Sequence, residues 1–377
     1  MAQQQYKLSI GNNFKEDKIE SLPFKSRELK IAGKRLETTP VFDAYWRFAA
    51  ERQRIFFRKI HEASDTSAQL TSNSVLAEYK FTNAYRASDR VSQYLIRHVI
   101  YGEGLPKDAE NIFFRTLLFK LFNKIETWQA IESEFGKVTL ERYSFHGFDA
   151  FLSAQQDEGK RNYSAAYIMP SARDVSGYRR KHSNHLKLLE WMLDKQFPAR
   201  LKQSASMADG FEMFLNAPSL GAFLAYQFIT DVNYSSITNY SEREFVVAGP
   251  GALDGISKCF IDSKGVSATD IIRHMTDYQQ KYFDDLSIDF KDLWGRELQL
   301  IDCQNLFCEI SKYARIAFPD VVGVSGRTRI KQKYRSKGQM NTPWYPPKWG
   351  INDKITVAST QPEGTYDDAN GAQHALL

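Results

Sequence analysis

Apolar side chains recur every three or four residues over much of the chain after about residue 40. In YWRFAAERQRIFFRKI this spacing puts Tyr45, Phe48 and Ile55 on one stripe, which is typical of an amphipathic helix. The stretches 75–100 and 111–131 show the same spacing, and we expect each of them to be helical. Strictly alternating strand patterns are scarce. The pattern therefore predicts a mostly α fold.

Polar segments divide this helical pattern into regions. Residues 1–38 are predicted to be a polar leader, and residues 39–340 a single helical domain. A polar stretch rich in Gly and Pro divides that domain into two predicted lobes, 39–158 and 178–340, around a cleft. Residues 341–377 combine a segment rich in Pro and Trp with a tail whose composition predicts disorder.

Composition narrows the class of protein. With 377 residues, of which 42% are hydrophobic, the chain can bury a large core. Its three cysteines lack CxxC spacing, so we expect no disulfide framework, no metal site and no cofactor. Neither a secretion signal nor a run of about 20 apolar residues occurs, so we expect a cytoplasmic monomer without membrane contact. The net charge of +5 is too small to identify a partner.

The segment FLNAPSLGAFLAYQFITDVN is typical of a helix-hairpin-helix element. A hairpin at Gly221 would expose backbone N–H groups at a helix start, where they can hold a DNA phosphate without a side chain. An ordinary helical hairpin has the same pattern. Asp231 and Asn233 follow the second helix, and either face the same cleft or only terminate the helix.

A glycine-rich loop precedes the next helix, in VVAGPGALDGISKC. Gly249 and Gly251 crowd the loop, and Asp254 is expected in the first turn of the helix. The helix dipole keeps such a carboxylate ionised, which suits the stabilisation of a cationic sugar or the orientation of water. A simple N-terminal cap is the other interpretation.

In the last long helix, IDCQNLFCEISKYARI, polar side chains share one narrow arc opposite an apolar flank. We call Asp302, Asn305, Glu309 and Lys312 the polar arc. Two acids, an amide and a lysine suit base recognition or glycosidic-bond chemistry, although any amphipathic helix has a polar face. Lys312 is either a nucleophile or the partner of Glu309 in an i,i+3 ion pair.

The segment GRTRIKQKYRSKG carries a cation at every second residue, so an extended backbone would put these cations on one face. Such a row fits a DNA phosphate backbone, although a disordered basic segment has the same composition. Arg179 and Arg180 are expected to add a second DNA contact. We call the following residues the basic row: Arg327, Arg329, Lys331, Lys333, Arg335 and Lys337.

Several blocks in order, among them TNAYRASDR, FNKIETW, PSLGAFLAYQFITDVNYS, VVAGPGALDGISKCF and LQLIDCQNLFCEISKYAR, resemble one family. This is the alpha-glutamyl/putrescinyl thymine pyrophosphorylase family, together with the helical domain of hydroxymethyluracil DNA kinases. The resemblance covers about residues 40 to 337. It implies a DNA-glycosylase-like helical fold acting on modified pyrimidines in phage DNA, and similar proteins in bacterial defence loci excise glucosylated hydroxymethylcytosine.

The resemblance implies functional positions within the quoted blocks. They are Arg86, Asp89, Arg90, Asn123, Glu126, Asp231, Asn233, Gly249, Gly251, Asp254, Asp302, Glu309 and Lys312. One departure is Ala248, which stands where helix-hairpin-helix glycosylases place an Asp. The other is that no GxxxxGK[ST] loop occurs in these 377 residues, so phosphorylation by this chain is unsupported.

The leading functional hypothesis is a DNA glycosylase of anti-phage defence, which flips a modified pyrimidine into a basic cleft and leaves an abasic site. A carboxylate among Asp231, Asp254 and Asp302 would stabilise the oxocarbenium-like sugar. The base would be held by residues among Glu309, Lys312, Asn305, Asn233, Arg86 and Asp89.

Two alternatives belong to other classes. The first is a transferase that replaces a pyrophosphorylated hydroxymethyl group with an amine or amino acid, using Arg86, Arg90 and Lys312 to hold the pyrophosphate. The second is a sensor that binds modified DNA without chemistry. The partner expected in every case is DNA containing modified pyrimidines.

Overall fold

A computed structural model of the protein describes residue 19 and residues 24–61, 70–165, 169–336 and 340–356. Within these ranges the chain is mostly helical, and its β-structure consists of one hairpin and two isolated bridges. The predicted mostly α fold is therefore confirmed. No helix in the described ranges is both long and apolar enough to cross a membrane.

The β-hairpin lies inside the predicted polar leader. Strands β1 (Glu28–Ile31) and β2 (Lys34–Glu37) pair antiparallel across the two-residue turn Ala32 and Gly33. Both turn residues have positive φ, 46° and 81°, as a tight hairpin of the primed type requires. The residue after β2 forms a bridge to Phe260, so the hairpin is attached to the helical body.

Seven helices lie in the first half of the described chain, and the first of them is the long central one. Tyr45 on this helix is fully buried, and its hydroxyl donates to the carbonyl of Cys303 at 3.1 Å. The helices are α1 (Pro40–His61), α2 (Ser74–Glu78), α3 (Arg90–Tyr94), α4 (Ala109–Phe122), α5 (Ile125–Phe135), α6 (Phe145–Asp157) and α7 (Arg173–Ser176).

Eight helices follow in the second half of the described chain. They are α8 (Lys181–Asp194), α9 (Phe197–Gln203), α10 (Met207–Leu215), α11 (Ala222–Val232), α12 (Pro250–Cys259), α13 (Ala268–Asp277), α14 (Gln279–Asp285) and α15 (Leu300–Ala317). Helices α12 and α15 touch backbone to backbone, because a Cβ at Gly255 would lie 2.0 Å from the carbonyl oxygen of Phe307. Helices α8 and α11 both pack on α4, so the helices of the two predicted lobes share one hydrophobic core.

Two helix predictions were wrong in detail. The stretch 75–100 is interrupted after α2 by an extended segment, because Lys80 donates to the carbonyl of Gln332 and Tyr334 donates to that of Glu78. The stretch 111–131 is two helices, since Asn123 ends α4 in the left-handed conformation at φ 49°. An asparagine tolerates this conformation better than most residues do.

A segment rich in Pro and Trp crosses the helical body after the basic row, and we call residues 340–356 the C-terminal strap. Tyr345 is fully buried and shares a 2.8 Å hydrogen bond with Ser88. Trp349 stacks on Tyr345 and donates to Glu242 at 3.0 Å. The tail predicted to be disordered lies almost wholly outside the described residues.

Candidate functional site

The polar arc faces the segment between α2 and α3. Glu309 accepts a 3.0 Å hydrogen bond from the backbone of Thr82, and Asn305 donates to the hydroxyl of the same threonine at 2.9 Å. Asp302 accepts from the backbone of Arg86 at 2.8 Å. Three members of the predicted arc therefore hold one segment of the chain, which we call the 82–89 segment.

Arg52 also binds the 82–89 segment. It is on α1, is only 6% exposed, and donates to the carbonyl of Thr82 at 2.8 Å and to the side chain of Asn83 at 3.0 Å. Burial lowers the pKa of its guanidinium, whereas the negative charges of Asp89 and Glu309 raise it. The arginine is thus a buried cation beside two carboxylates.

Asp89 is a carboxyl whose pKa lies well above its ordinary value. Burial raises its pKa to about 7, although the backbone N–H of Asn83 stabilises the ionised form with a 2.8 Å hydrogen bond. The charge of Glu309 also raises this pKa, and that of Arg52 lowers it. The other carboxylate oxygen, Oδ2, has no hydrogen bond to any residue that the structure describes. A carboxyl that titrates near neutral pH with a free oxygen can donate or accept a proton.

Lys312 is the partner of Glu309, as one of the two sequence interpretations expected. Its ammonium lies 3.1 Å and 2.8 Å from the two carboxylate oxygens and 5.0 Å from the centre of the Phe81 ring. The lysine is partly exposed, with 21% of its side chain accessible. The pair presents a charged, oriented carboxylate at the edge of the arc.

Asp302 caps a helix and also holds the 82–89 segment. Burial raises its pKa to about 6, and the N–H groups of Gln299 and Arg86 lower it. Gln299 and Asp302 form a reciprocal capping box at the start of α15. With each carboxylate oxygen bonded to a backbone N–H and the residue 4% exposed, Asp302 has no open face for a ligand.

Asp231 lies in the interior between two cations. Arg86 and Lys120 each approach one of its oxygens at 2.7 Å. Burial raises the pKa of Asp231, but these two charges outweigh burial and hold it below its ordinary value. Burial also lowers the pKa of Lys120 to about 8. The guanidinium of Arg86 donates to Tyr234 at 2.9 Å as well, so this network is internal.

Asp254 anchors the chain after α15. It accepts from the hydroxyl of Ser311 and from the backbone of Ser325, the latter at 2.7 Å, and lies 3.6 Å from Lys258. These contacts outweigh burial and lower its pKa. The sequence expectation of a first-turn position was wrong, because α12 begins at Pro250 and Asp254 falls in its second turn.

Two helices begin side by side without a side-chain cap. Gly221 precedes α11 and Gly249 precedes α12, and neither start has a side-chain hydrogen bond. A Cβ at Gly249 would lie 2.7 Å from the ring of Phe223, which places the two helix starts together. Asn233 binds inside the protein, where its side chain holds the backbone of Tyr240.

The described members of the basic row are exposed, and the row pairs with the segment after α2 around Lys333. Tyr79 and Lys333 form an antiparallel bridge, while Ile330 and Tyr334 point toward the body and are partly buried. Lys333 also pairs with Glu78. Lys337 lies outside the described residues.

The remaining expected positions lie apart from the polar arc. Arg180 binds Asp157 through two hydrogen bonds of 2.9 Å, and Arg179 is exposed just before α8. Arg90 and Glu126 form a 3.3 Å ion pair. Within the described ranges, no group of three or more His, Cys, Asp or Glu is arranged to hold a metal ion.

Sequence reasoning did not identify Arg52 or Lys120 as parts of the site. The signal was present, because each is a cation within the apolar stripe of a predicted helix. A charge on the buried face of a helix requires a partner, and a search for such charges would have found both residues.

Comparison with known families gives one match. The family model described as "5-hmdU DNA kinase, helical domain" matches residues 39–323. The comparisons found no match among curated proteins and none among solved structures. The polar arc and the 82–89 segment lie inside the matched range, whereas the basic row and the C-terminal strap follow it.

Proposed function

The chain belongs to the family of the 5-hmdU DNA kinase helical domain, and from this membership we propose that it excises a modified pyrimidine from DNA. The family connects the chain to DNA with modified bases. Cleavage of the N-glycosidic bond is the finer part of the proposal, and it rests on one observation. Asp89, with a pKa of about 7 and a free carboxylate oxygen, belongs to the segment that Glu309 binds through Thr82, and Glu309 pairs with Lys312.

In the proposed reaction, Asp89 is the general base for a water molecule. The water oxygen bonds to C1′ of the sugar, and a water proton passes to Asp89. The bond from C1′ to the pyrimidine breaks, its electron pair leaves with the base, and the base is then protonated. A base with a pKa near the working pH suits this step. The charge of Glu309 stabilises the positive charge that develops on the sugar.

Recognition of the extruded base is assigned to Asn305 and Lys312. The amide of Asn305 donates to Thr82, while its carbonyl oxygen has no hydrogen bond among the described residues. That oxygen can accept from a hydroxymethyl group or from a pyrimidine N–H. Lys312 can donate to a glucosyl or hydroxymethyl oxygen without leaving Glu309, because an ammonium has three donors.

DNA binding is assigned to two features outside the arc. The exposed members of the basic row supply phosphate contacts, and the uncapped starts of α11 and α12 supply backbone N–H donors. The second feature gives Gly221 its proposed role, because a glycine there lets a phosphate approach the backbone closely. Together these features support a DNA partner.

The transferase alternative is weaker on geometry. It needs an excess of positive charge for a leaving pyrophosphate, but each of the three expected donors has its charge balanced by a carboxylate. Arg86 pairs with Asp231, Arg90 with Glu126 and Lys312 with Glu309. We therefore place base excision above group transfer.

The test compares the wild type with Asp89→Asn on oligonucleotides that carry a single modified pyrimidine. The modifications are glucosylated hydroxymethylcytosine, hydroxymethyluracil and its pyrophosphorylated form, each in single- and double-stranded DNA. Mass spectrometry measures released bases and retained nucleosides, and hot alkali reveals abasic sites. We expect the wild type to release base and leave alkali-labile strands, and the variant to do neither.

The matched control is Asp194→Asn, at the exposed end of α8. This control should retain wild-type activity. Intact strands with a changed nucleoside mass would show that the protein transfers a group to the base and does not excise it. Tight binding without any chemistry on all three substrates would favour the sensor.

A further inference from the structure

Two exposed valines mark the turn between α15 and the basic row, and we call residues 321–326 the valine turn. Val322 is 69% exposed and Val324 is 75% exposed, the highest values among the large apolar side chains that the structure describes. Leu253 on α12 is 45% exposed. It lies one helical turn before Ser257, whose hydroxyl accepts from the backbone of Val324 at 3.1 Å. These side chains form a small apolar projection.

The valine turn is held rigidly. Asp254 accepts from the backbone of Ser325 at 2.7 Å, and Ser257 holds the preceding residue. Gly323 fits against Asp254 so closely that a Cβ would lie 2.4 Å from the carboxylate oxygen. These contacts hold the backbone of the turn with both valines exposed. Apolar side chains that a rigid turn keeps in water are typical of a binding surface.

The turn adjoins both the basic row and the polar arc through Arg315. This guanidinium donates to the carbonyl of Arg329 at 3.1 Å. It also interacts electrostatically with Asp254, Arg327 and Glu309. An apolar projection thus adjoins the row of cations, and Arg315, which binds that row, also feels the charge of Glu309 in the polar arc.

We propose that the valine turn is a wedge that enters the base stack of duplex DNA beside the extruded nucleotide. The inference rests on the proposed function, since it takes modified duplex DNA as the partner. The adjacent cations favour a polyanion, and the apolar tips match the space between two unstacked base pairs. Asp254 then acts as a positioning residue that fixes the turn.

The test uses duplexes with 2-aminopurine next to the modified pyrimidine. The double variant Val322→Ser with Val324→Ser removes the apolar tips but keeps the backbone and the charges. We expect it to lose more than about half of the rise in 2-aminopurine fluorescence on binding, and to release base about tenfold more slowly. The salt dependence of binding should be unchanged. The control Ile261→Ser removes a 64% exposed side chain outside the turn and should behave as wild type.

The outcomes separate the wedge from the proposed function. Wild-type fluorescence and base release in the double variant would overturn the wedge and leave excision intact. A fluorescence rise that depends on the valines, without released base from the wild type, would support the wedge and refute excision. Absence of binding to every modified duplex would overturn both.

Discussion

At the scale of single residues, Asp89 determines the expected pH dependence. A general base must be ionised, and burial raises the pKa of this carboxyl to about 7. We therefore expect kcat/KM for base release to increase as the pH rises through about 7 and then to level off. Asp89→Asn should lower the rate by about 10²-fold to 10⁴-fold above pH 7, and by less at pH 5, where the wild-type carboxyl is protonated. A flat profile for the wild type between pH 5 and 9 would remove Asp89 from the proton transfer.

The raised pKa of Asp89 also predicts that this residue lowers the stability of the folded protein as the pH rises. The folded-state pKa of Asp89, about 7, exceeds the ordinary value of 3.8 for an aspartate, so between these values the folded state binds a proton more tightly than the unfolded state. The contribution of Asp89 to the free energy of unfolding thus decreases as the pH rises through this window. Asp89→Asn should raise the Tm at pH 8 by a few degrees, and by less at pH 5. Thermal unfolding of both proteins at the two pH values measures this, and an equal change at both would contradict it.

At the scale of elements, the contact of α12 with α15 depends on Gly255. A methyl group there would lie 2.0 Å from the carbonyl oxygen of Phe307, and the atoms that it meets belong to the backbone of α15. Gly255→Ala should therefore lower the free energy of unfolding by about 1–3 kcal/mol, despite the better helix propensity of alanine. Chemical denaturation measures the loss.

The control for Gly255→Ala is Gly221→Ala. Gly221 has φ −85° and open space around the position of a Cβ, so the Tm should be unchanged. If a phosphate approaches this helix start, the same control should bind DNA more weakly. Equal stability of the two alanine variants would show that the two helices can separate without cost.

Local patterns predicted several helices correctly because amphipathic spacing is a local property. The stripe of Tyr45, Phe48 and Ile55 lies within α1, and α15 places its apolar flank inside, both as the spacing indicated. The extended segment after α2 was missed because its conformation depends on Glu309, which binds Thr82, and on Gln332, which binds Lys80, and both are distant in sequence. No local pattern encodes such a partner.

The candidate site, too, was predicted from the sequence only where its features are local. The polar arc was recognised from helical periodicity, and its members meet the 82–89 segment. The catalytic role expected of Asp231, Asp254 or Asp302 stays a prediction. The residues that bind these aspartates could not be identified from the sequence. Burial of Asp231 between Arg86 and Lys120 requires three segments to converge, which only the fold determines.

At the scale of the whole molecule, the basic row predicts the salt dependence of DNA binding. Arg329→Ala with Lys331→Ala removes two exposed cations and should reduce the slope of log Kd against log salt by about 2. The loss of affinity should be similar for modified and unmodified DNA. Lys195→Ala with Lys202→Ala removes the same charge from exposed positions outside the row and should leave the slope unchanged. Equal slopes for all three proteins would exclude phosphate contacts by the row.

The C-terminal strap implies that the folded domain of this protein extends beyond the residues that match the family. The family match ends at 323, yet Tyr345 is buried against Ser88 and Ile351 is 3% exposed. A chain cut after 323 should therefore lose cooperative unfolding and bind a hydrophobic dye, whereas one cut after 356 should melt as the full chain does. If this domain were fused to another protein at residue 323, the apolar surface that the C-terminal strap covers would be exposed to water. We therefore expect a stable fusion to require the residues up to 356.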